Sequence, residues 1–277
     1  YRRQRQMCIR DSVYGGVSYG PQRKALAKGV DILVACPGRL EDLIEQRELT
    51  LEDVKQVVID EADRMADMGF MPAVKRILDQ TSKGRQTILF SATLDQDVAQ
   101  LKKHYQHNPV TREIGEKTPD IKNADHTYAI AKKADKPELV AKAVNSTWPA
   151  IIFCRTRHGA DRLVKQLKKL GIESEPIHGG KSQHQRKRAL KNFSTGKVQA
   201  LVATDVAARG IHVDGVALVV HYDPPEDHKA YIHRSGRARA GSQGVVLSII
   251  QPEQQKNAKK LQKRLGINES IREINPE

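Results

Sequence analysis

The chain has 277 residues, with 47 Lys plus Arg against 33 Asp plus Glu and a formal net charge of +14. That length suits two compact domains, each able to bury its own core, and the excess of cations favours an anionic partner such as nucleic acid. Aromatic residues at 4% argue against a surface built mainly on base stacking, and three scattered cysteines, Cys8, Cys36 and Cys154, exclude a disulfide framework and a zinc cluster and fit a reducing cytoplasm.

The chain opens YRRQRQMCIRDSVYGG. Written as codons, Gln6 to Ser12 is similar to the mosaic end of a transposon used to prepare sequencing libraries, so residues 1–12 read as an intrusion and the natural sequence as starting near Ser12. A basic, solvated N-terminal arm is the alternative. From Asp31 onward, short β-branched runs alternate with helical patterns: DILVACP, VVIDEAD and TILFSAT, then AIIFCRT, ALVATDV, LVVHYD and GVVLSII. Continuous apolar runs between helices mark strands of a parallel sheet covered on both faces. The expected fold class is therefore α/β. Residues 111–125 turn polar, with Gly115 and Pro119, and are the expected linker between a first domain at 13–110 and a second at 126–277. In RHGADRLVKQLKKLG, Leu163, Val164, Leu167 and Leu170 share one helical face and Gly171 ends it. PEQQKNAKKLQKRLG reads as a basic terminal helix packed on one apolar side. There is no hydrophobic stretch of membrane-spanning length.

VVIDEADRM carries the most chemistry. Its apolar strand ends in Asp60 and Glu61, which puts two carboxylates at the carboxyl edge of a parallel sheet, where ligands of such folds bind. Asp60 suits Mg²⁺ beside nucleotide phosphates, and Glu61 suits the orientation or deprotonation of an attacking water. The competing reading is two acids that favour a helix N-terminus.

Asp60-Glu61-Ala62-Asp63 and the Ser91–Thr93 SAT stretch are joined by Gly15-Gly16, CPGR at Cys36 to Arg39, IIFCRT, Gln183 with Arg186, ATDVAARG, and HRSGR at His233 to Arg237. In that order, over nearly the whole chain from Val13, the set resembles the DEAD-box RNA helicases of bacterial type. The resemblance implies two RecA-like parallel-sheet domains with helices on both faces, ATP and Mg²⁺ as cofactors, and RNA duplexes opened as ATP and RNA close a cleft between the domains. It assigns RNA-backbone contact to Gly15, Gly16, Pro37, Gly38, Arg39, Arg155, Thr156, Gln183, Arg186, Thr204 and Asp205. It places Asp60, Glu61, Ser91, Thr93, His233, Arg237 and Arg239 in the catalytic set, with Arg234 beside them, and gives the nucleotide Asp60, Glu61, Asp63, Gly210, His212 and Arg237. Asp60 and Glu61 form the metal pair. Contact through backbone and 2′-OH groups implies little base preference. A monomer is expected, with ribosome-assembly and RNA-decay complexes open as partners.

The sequence also departs from that pattern. Only 59 residues precede Asp60, and none fits the phosphate-binding G-x-x-x-x-G-K-[ST]. EPIHGGKS at Glu175 to Ser182 comes near it, but Glu175 stands where the first glycine is needed, and the family reads the stretch as the His178-Gly179 turn before Gln183. The first domain is thus expected to be incomplete, with an unfilled place or bare edge in its sheet and the lower stability of the two. Arg237 and Arg239 are one residue closer together than the family pattern, His212 stands where many members have a ribose-contacting aspartate, and Cys36 replaces a common threonine. A non-catalytic RNA-binding module and a DNA-directed helicase are the rival readings.

Overall fold

A computed structural model describes residues 10–94, 96–113, 124–208, 213, 216–238 and 244–273. The chain divides into two compact units, Tyr1–Glu113 and Ile114–Glu277, with the division inside the expected linker.

In the first unit, β1 (Arg10–Val13), α1 (Tyr19–Leu26), β2 (Ile32–Ala35) and α2 (Pro37–Glu45) are followed by β3 (Gln56–Ile59), α3 (Ala62–Asp67), α4 (Met71–Asp79), β4 (Gln86–Leu89) and α5 (Gln96–Tyr105). Arg10 to Ser12, part of the stretch read as an intrusion, lie in β1 and pair with Ile32 to Val34. The four strands form two separate parallel pairs, β1 with β2 and β3 with β4. Each pair has a small core of its own: Val13, Leu40, Leu43 and Leu51 for one, and Ile59, Met71, Val74, Leu78, Val98 and Leu101 among others for the second. The opposite faces are bare, leaving Ile32 53%, Val34 55%, Val58 58% and the following Phe90 56% exposed. Parallel strands are ordinarily covered on both sides, whereas the first unit has two separate pairs, each covered on one face.

The second unit begins at β5 (Ala124–Ile130), so its first two residues come from the C-terminal end of the expected linker. It continues through α6 (Lys136–Ser146), β6 (Ala150–Phe153), α7 (Arg157–Lys169), β7 (Ser174–Ile177), α8 (Gln183–Ser194), β8 (Ala200–Ala203) and α9 (Asp205–Ala208). Then come β9 (Leu218–His221), α10 (His228–Ser235), β10 (Gly244–Ile250), α11 (Gln255–Leu265) and β11 (Ile271–Glu273). All seven strands run parallel in the order β11-β5-β10-β9-β6-β8-β7. Alternate residues of each central strand feed two cores. Ile152, Val202 and Val220 meet α6 and α7 on one face, and Ile151, Leu201 and Val219 meet α8, α10 and α11 on the other. This is the RecA-like arrangement, a parallel sheet with helices on both sides.

On α7, Leu163 and Leu167 are buried and Val164 packs at the margin of the core, whereas Leu170 is the C-cap and partly exposed. Gly171 follows at φ +78°, the left-handed conformation that ends the helix. The basic helix α11 presents Ala258, Leu261 and Leu265 to the second core, and the buried Gln262 side chain donates to the Glu269 carbonyl at 2.9 Å.

Candidate functional site

Every strand of the first unit delivers a motif at its carboxyl end. Val13 of β1 leads into Gly15-Gly16, where Gly16 takes φ +77° with open space around it, so its backbone is accessible to a ligand. The end of β2 leads into α2, with Cys36 as N-cap and Pro37 at the first turn. Arg39 joins the two: its guanidinium lies 4.0 Å from the centre of the Tyr19 ring, and Nη2 donates to the Val17 carbonyl at 3.1 Å. Its Nη1 is buried without a partner.

The ends of β3 and β4 are stitched together. Ile59 pairs with Leu89, the Phe90 N–H donates to the Ile59 carbonyl at 2.8 Å, and the Ala62 N–H donates to the Phe90 carbonyl at 3.1 Å. Between them Asp60 projects into solvent and accepts from the Glu61 N–H at 2.9 Å. Glu61 caps α3 at φ 48°, a left-handed backbone uncommon for a non-glycine residue, and its carboxylate pairs with Arg64. Strain of this kind persists where surrounding structure enforces it, and it gathers at functional sites.

Asp63 faces the other way. Its Oδ2 accepts from the Thr93 N–H at 3.1 Å and from Thr93 Oγ1 at 3.2 Å, while Ser91 Oγ accepts from the Asp63 N–H at 3.1 Å and donates to the Thr93 carbonyl at 2.6 Å. Asp63 is buried. The resemblance gave it to the nucleotide; its carboxylate is instead spent on the SAT turn, which it locks to α3.

In the second unit, three neighbouring strands end at one edge. Arg155 and Thr156 follow β6, Thr204 and Asp205 follow β8, and the turn after β7 leads to Gln183 and Arg186 on α8. Thr156 caps α7, its Oγ1 accepting from the Gly159 N–H at 3.0 Å. Arg155 is exposed, with its N–H held by Asp223 Oδ2 at 2.8 Å. Arg186 Nη2 reaches the Ala207 carbonyl at 3.5 Å, tying α8 to α9.

α10 carries His233 and Arg234. His233 is exposed, whereas Arg234 is only 3% exposed and makes a two-pronged pair with Asp205, with both N–O distances 2.6 Å, and a third bond to the Asp223 carbonyl at 2.8 Å. This corrects the reading of Arg234 as facing a phosphate: its donors are committed inside the unit. Asp205, assigned to RNA, likewise has both oxygens on Arg234. Arg237 follows α10 and lines a small apolar cavity with Ile151, Ile177 and Val213. Gly210, His212 and Arg239 lie outside the described residues.

Sequence reasoning missed Lys136 and Asp223. Lys136 is 3% exposed, with Nζ 3.4 Å from Asp223 Oδ1 and 4.2 Å from the Tyr222 ring centre. Burial lowers its pKa, and Asp223 opposes that shift. Asp223 thereby holds the Arg155 amide and Lys136 while its carbonyl receives Arg234. The available signal was an acid directly after the apolar strand LVVHY, the same placement that singled out Asp60.

The profile described as DEAD/DEAH box helicase matches residues 2–101, and that of the helicase conserved C-terminal domain matches residues 135–241. The structure of Saccharomyces cerevisiae Dbp5 bound to RNA and ADP BeF3 is similar with a TM-score of 0.80 and 30% identity, covering 94% of this chain and 69% of that one. The chain belongs to the DEAD-box RNA helicase family. A DEAD box protein from Methanococcus jannaschii is 32% identical at a TM-score of 0.51, with 96% of this chain and 72% of that one covered. Among curated DEAD-box relatives, RNA helicase 3B of Zea mays, a chloroplastic protein, is 40% identical over 92% of this chain and 35% of its own length. CshA of Streptococcus pneumoniae is 40% identical over 82% and 44%. The chain thus spans between a third and a half of these relatives' length, and maize and bacterial DEAD-box proteins match it equally well.

Asp60 fits the protein's share of a Mg²⁺ site in a DEAD-box protein, since this cation takes one or two carboxylates and completes its shell with substrate phosphates and water. Among the described residues no group of three or more His, Cys, Asp or Glu is assembled to hold a metal alone. Lys181 of the HGGKS turn is 2.8 Å from Asp161, so it is ion-paired and not extended toward a phosphate. The described residues therefore offer a metal carboxylate and form no phosphate cradle. Among the described residues no helix is long and apolar enough to cross a membrane.

Proposed function

We propose that this chain is an RNA-gripping part of an ATP-dependent RNA helicase that remodels short duplexes through backbone contacts with little base preference. The observation that carries the reading is the convergence of Arg155-Thr156, Gln183-Arg186 and Thr204 at the ends of three adjacent parallel strands, in a chain similar to Dbp5 bound to RNA and ADP BeF3. Gly15, Gly16, Pro37, Gly38 and Arg39 are the RNA-contacting residues of the first unit, where the open glycine backbone suits phosphate oxygens.

On the nucleotide side, Asp60 holds Mg²⁺ and Glu61 orients the attacking water. Asp63 transmits their state to Ser91 and Thr93, and the family pattern gives His233, Arg237 and Arg239 to the phosphates and Gly210 and His212 to the ribose. Bound ATP would supply the phosphoryl group whose transfer drives release of RNA. With no phosphate cradle among the described residues, this chain alone is expected not to hydrolyse ATP. The bare faces of β2 and β3 support reading it as a piece of a longer protein in which further strand and helix cover them. His212, in place of a ribose-contacting aspartate, favours a bacterial-type member. Free Cys36 and Cys154 suit the cytoplasm, and the parent is a monomer on RNA, with ribosome-assembly or RNA-decay complexes as the settings to examine.

Binding to RNA and DNA oligonucleotides of the same sequence tests the grip, and RNA-stimulated phosphate release with Glu61→Gln as the control tests the enzyme. The expected outcome is salt-sensitive binding that prefers RNA, with no phosphate release above the control. Equal affinity for DNA would overturn the RNA reading, and release above the Glu61→Gln background would overturn the fragment reading.

A further inference from the structure

The turn between β7 and α8 is fastened by residues to which neither the motifs nor the resemblance assign a role. Arg157 and Asp161 lie one turn apart on the same face of α7. Asp161 Oδ1 is 2.8 Å from Lys181 Nζ and 3.1 Å from His178 Nε2, the latter at ion-pair distance but off the hydrogen-bond direction. The His178 ring is 3% exposed, and its Nδ1 accepts from the Gly180 N–H at 3.2 Å, which puts the neutral ring's proton on Nε2, toward Asp161. The Lys181 N–H donates to the His178 carbonyl at 3.0 Å. Gly180 is the tightly packed glycine: a Cβ there would stand 3.1 Å from His178 Nδ1, whereas one on Gly179 would make only an ordinary contact, 3.4 Å from the end of the Arg157 side chain. At the far end, Ser182 and Gln185 close a reciprocal capping box that starts α8.

These contacts bind the turn that leads into α8 to the second turn of α7. α7 starts directly after Arg155 and Thr156, and α8 starts with Gln183, one turn before Arg186. We propose that Asp161, with His178 as its buried partner, is a positioning residue for RNA: it clasps the 178–182 turn to α7 and so sets the spacing between the two phosphate-gripping segments. The inference rests on the RNA reading above and deepens it. Burial alone would raise the Asp161 pKa, but the Lys181 ammonium and the close His178 ring outweigh burial and hold it below the ordinary carboxylate value, so the clasp is charged at neutral pH.

The charge of Asp161 makes the test sharp. Removing an acid and freeing Lys181 near an RNA backbone should by electrostatics alone tighten binding and steepen its salt dependence. A clasp predicts the opposite. In Asp161→Asn, RNA affinity measured by fluorescence anisotropy should fall about fivefold or more. Amide exchange at Gly180 and Lys181 should quicken while Ile152 and Val202 in the sheet keep their protection, and Asp161→Glu should restore part of both. Unchanged or tighter RNA binding with a loosened turn would overturn the positioning role, and unchanged exchange at Gly180 and Lys181 would overturn the clasp itself. If the unsubstituted chain binds no RNA, the RNA reading and with it the positioning role fail, while the exchange data still decide whether the clasp exists.

Discussion

At Cys36 a single side chain separates what the backbone needs from what the sequence supplies. The residue is the N-cap of α2, in extended conformation at φ −89° and ψ 134°, and it makes no side-chain capping hydrogen bond. A thiol is a weak acceptor, whereas Ser, Thr, Asp or Asn at this position satisfies an orphan N–H of the first turn and stabilises by about 1 kcal/mol. Cys36 is exposed, so the exchange carries no burial penalty. Cys36→Ser should therefore raise the stability of the first unit by about 1 kcal/mol, read as a higher denaturation midpoint at unchanged slope; an unchanged midpoint would show that the first turn is satisfied otherwise. Residue identity made Asp60 and Glu61 legible because acids directly after an apolar strand fall on a sheet's ligand edge. The same logic could not tell Asp60, facing solvent, from Asp63, turned onto Thr93, because direction is decided by the helix that starts between them. Nor could it foresee that Arg234 would be buried against Asp205, since a cation in a basic cluster reads alike whether it faces solvent or an acid remote in sequence.

Whole elements were legible where burial is one-sided in chemistry. β6, β8 and β9 are entirely buried and read as unbroken apolar runs. Less legible were β5, β7 and β11. β7, the edge of the sheet, carries Glu175, bonded to Asn192 at 2.6 Å, and Pro176, which an edge strand tolerates. β5 is mixed because it builds a polar seam under α10, in which Tyr231 OH lies 2.6 Å from His126 Nδ1 and accepts from Tyr128 OH at 3.1 Å. Beside it, at the end of β9, His221 is fully buried, with Nδ1 3.1 Å from Ser248 Oγ, Nε2 without a partner, and the Tyr231 ring edge-on at 4.8 Å between centroids. Burial first, then the charges of Arg234 and His126, hold its pKa well below the ordinary 6.5. Its sign follows from linkage. Above pH 6.5 the imidazole is neutral in both folded and unfolded chains and costs nothing. Below it the unfolded chain takes up a proton that the folded one refuses, so stability falls with decreasing pH by at most about 1.4 kcal/mol per unit. Urea midpoints of the second unit should drop between pH 6.5 and 5, and His221→Gln should flatten that drop; a profile of equal slope in the variant would exonerate this ring.

Across the molecule, the two units should differ in stability because their strands are covered differently. In the second, each central strand has helices on both faces and two cores share its alternating side chains. In the first, two separate strand pairs rest on one smaller core each, and a two-stranded sheet is marginal without cover. Ile32, Val34 and Val58 have the β-branched chemistry of buried parallel strands and are more than half exposed. They contribute little of the 1.5 to 3 kcal/mol that full burial of each such side chain would add, on the order of 25 cal/mol per Å² of apolar area. The first unit should then open at lower denaturant than the second, with amides of β3 and β4 exchanging well before those of β6 and β8. A matched pair of substitutions separates bare faces from merely weak packing. Val58→Thr should change first-unit stability by less than about 0.5 kcal/mol, as at any exposed site, while Leu78→Ala, in the small core beneath β3 and β4, should cost about 2 to 5 kcal/mol. If Val58→Thr instead costs as much as a core truncation, the β3 face is covered in solution and the expected difference between the units loses its cause.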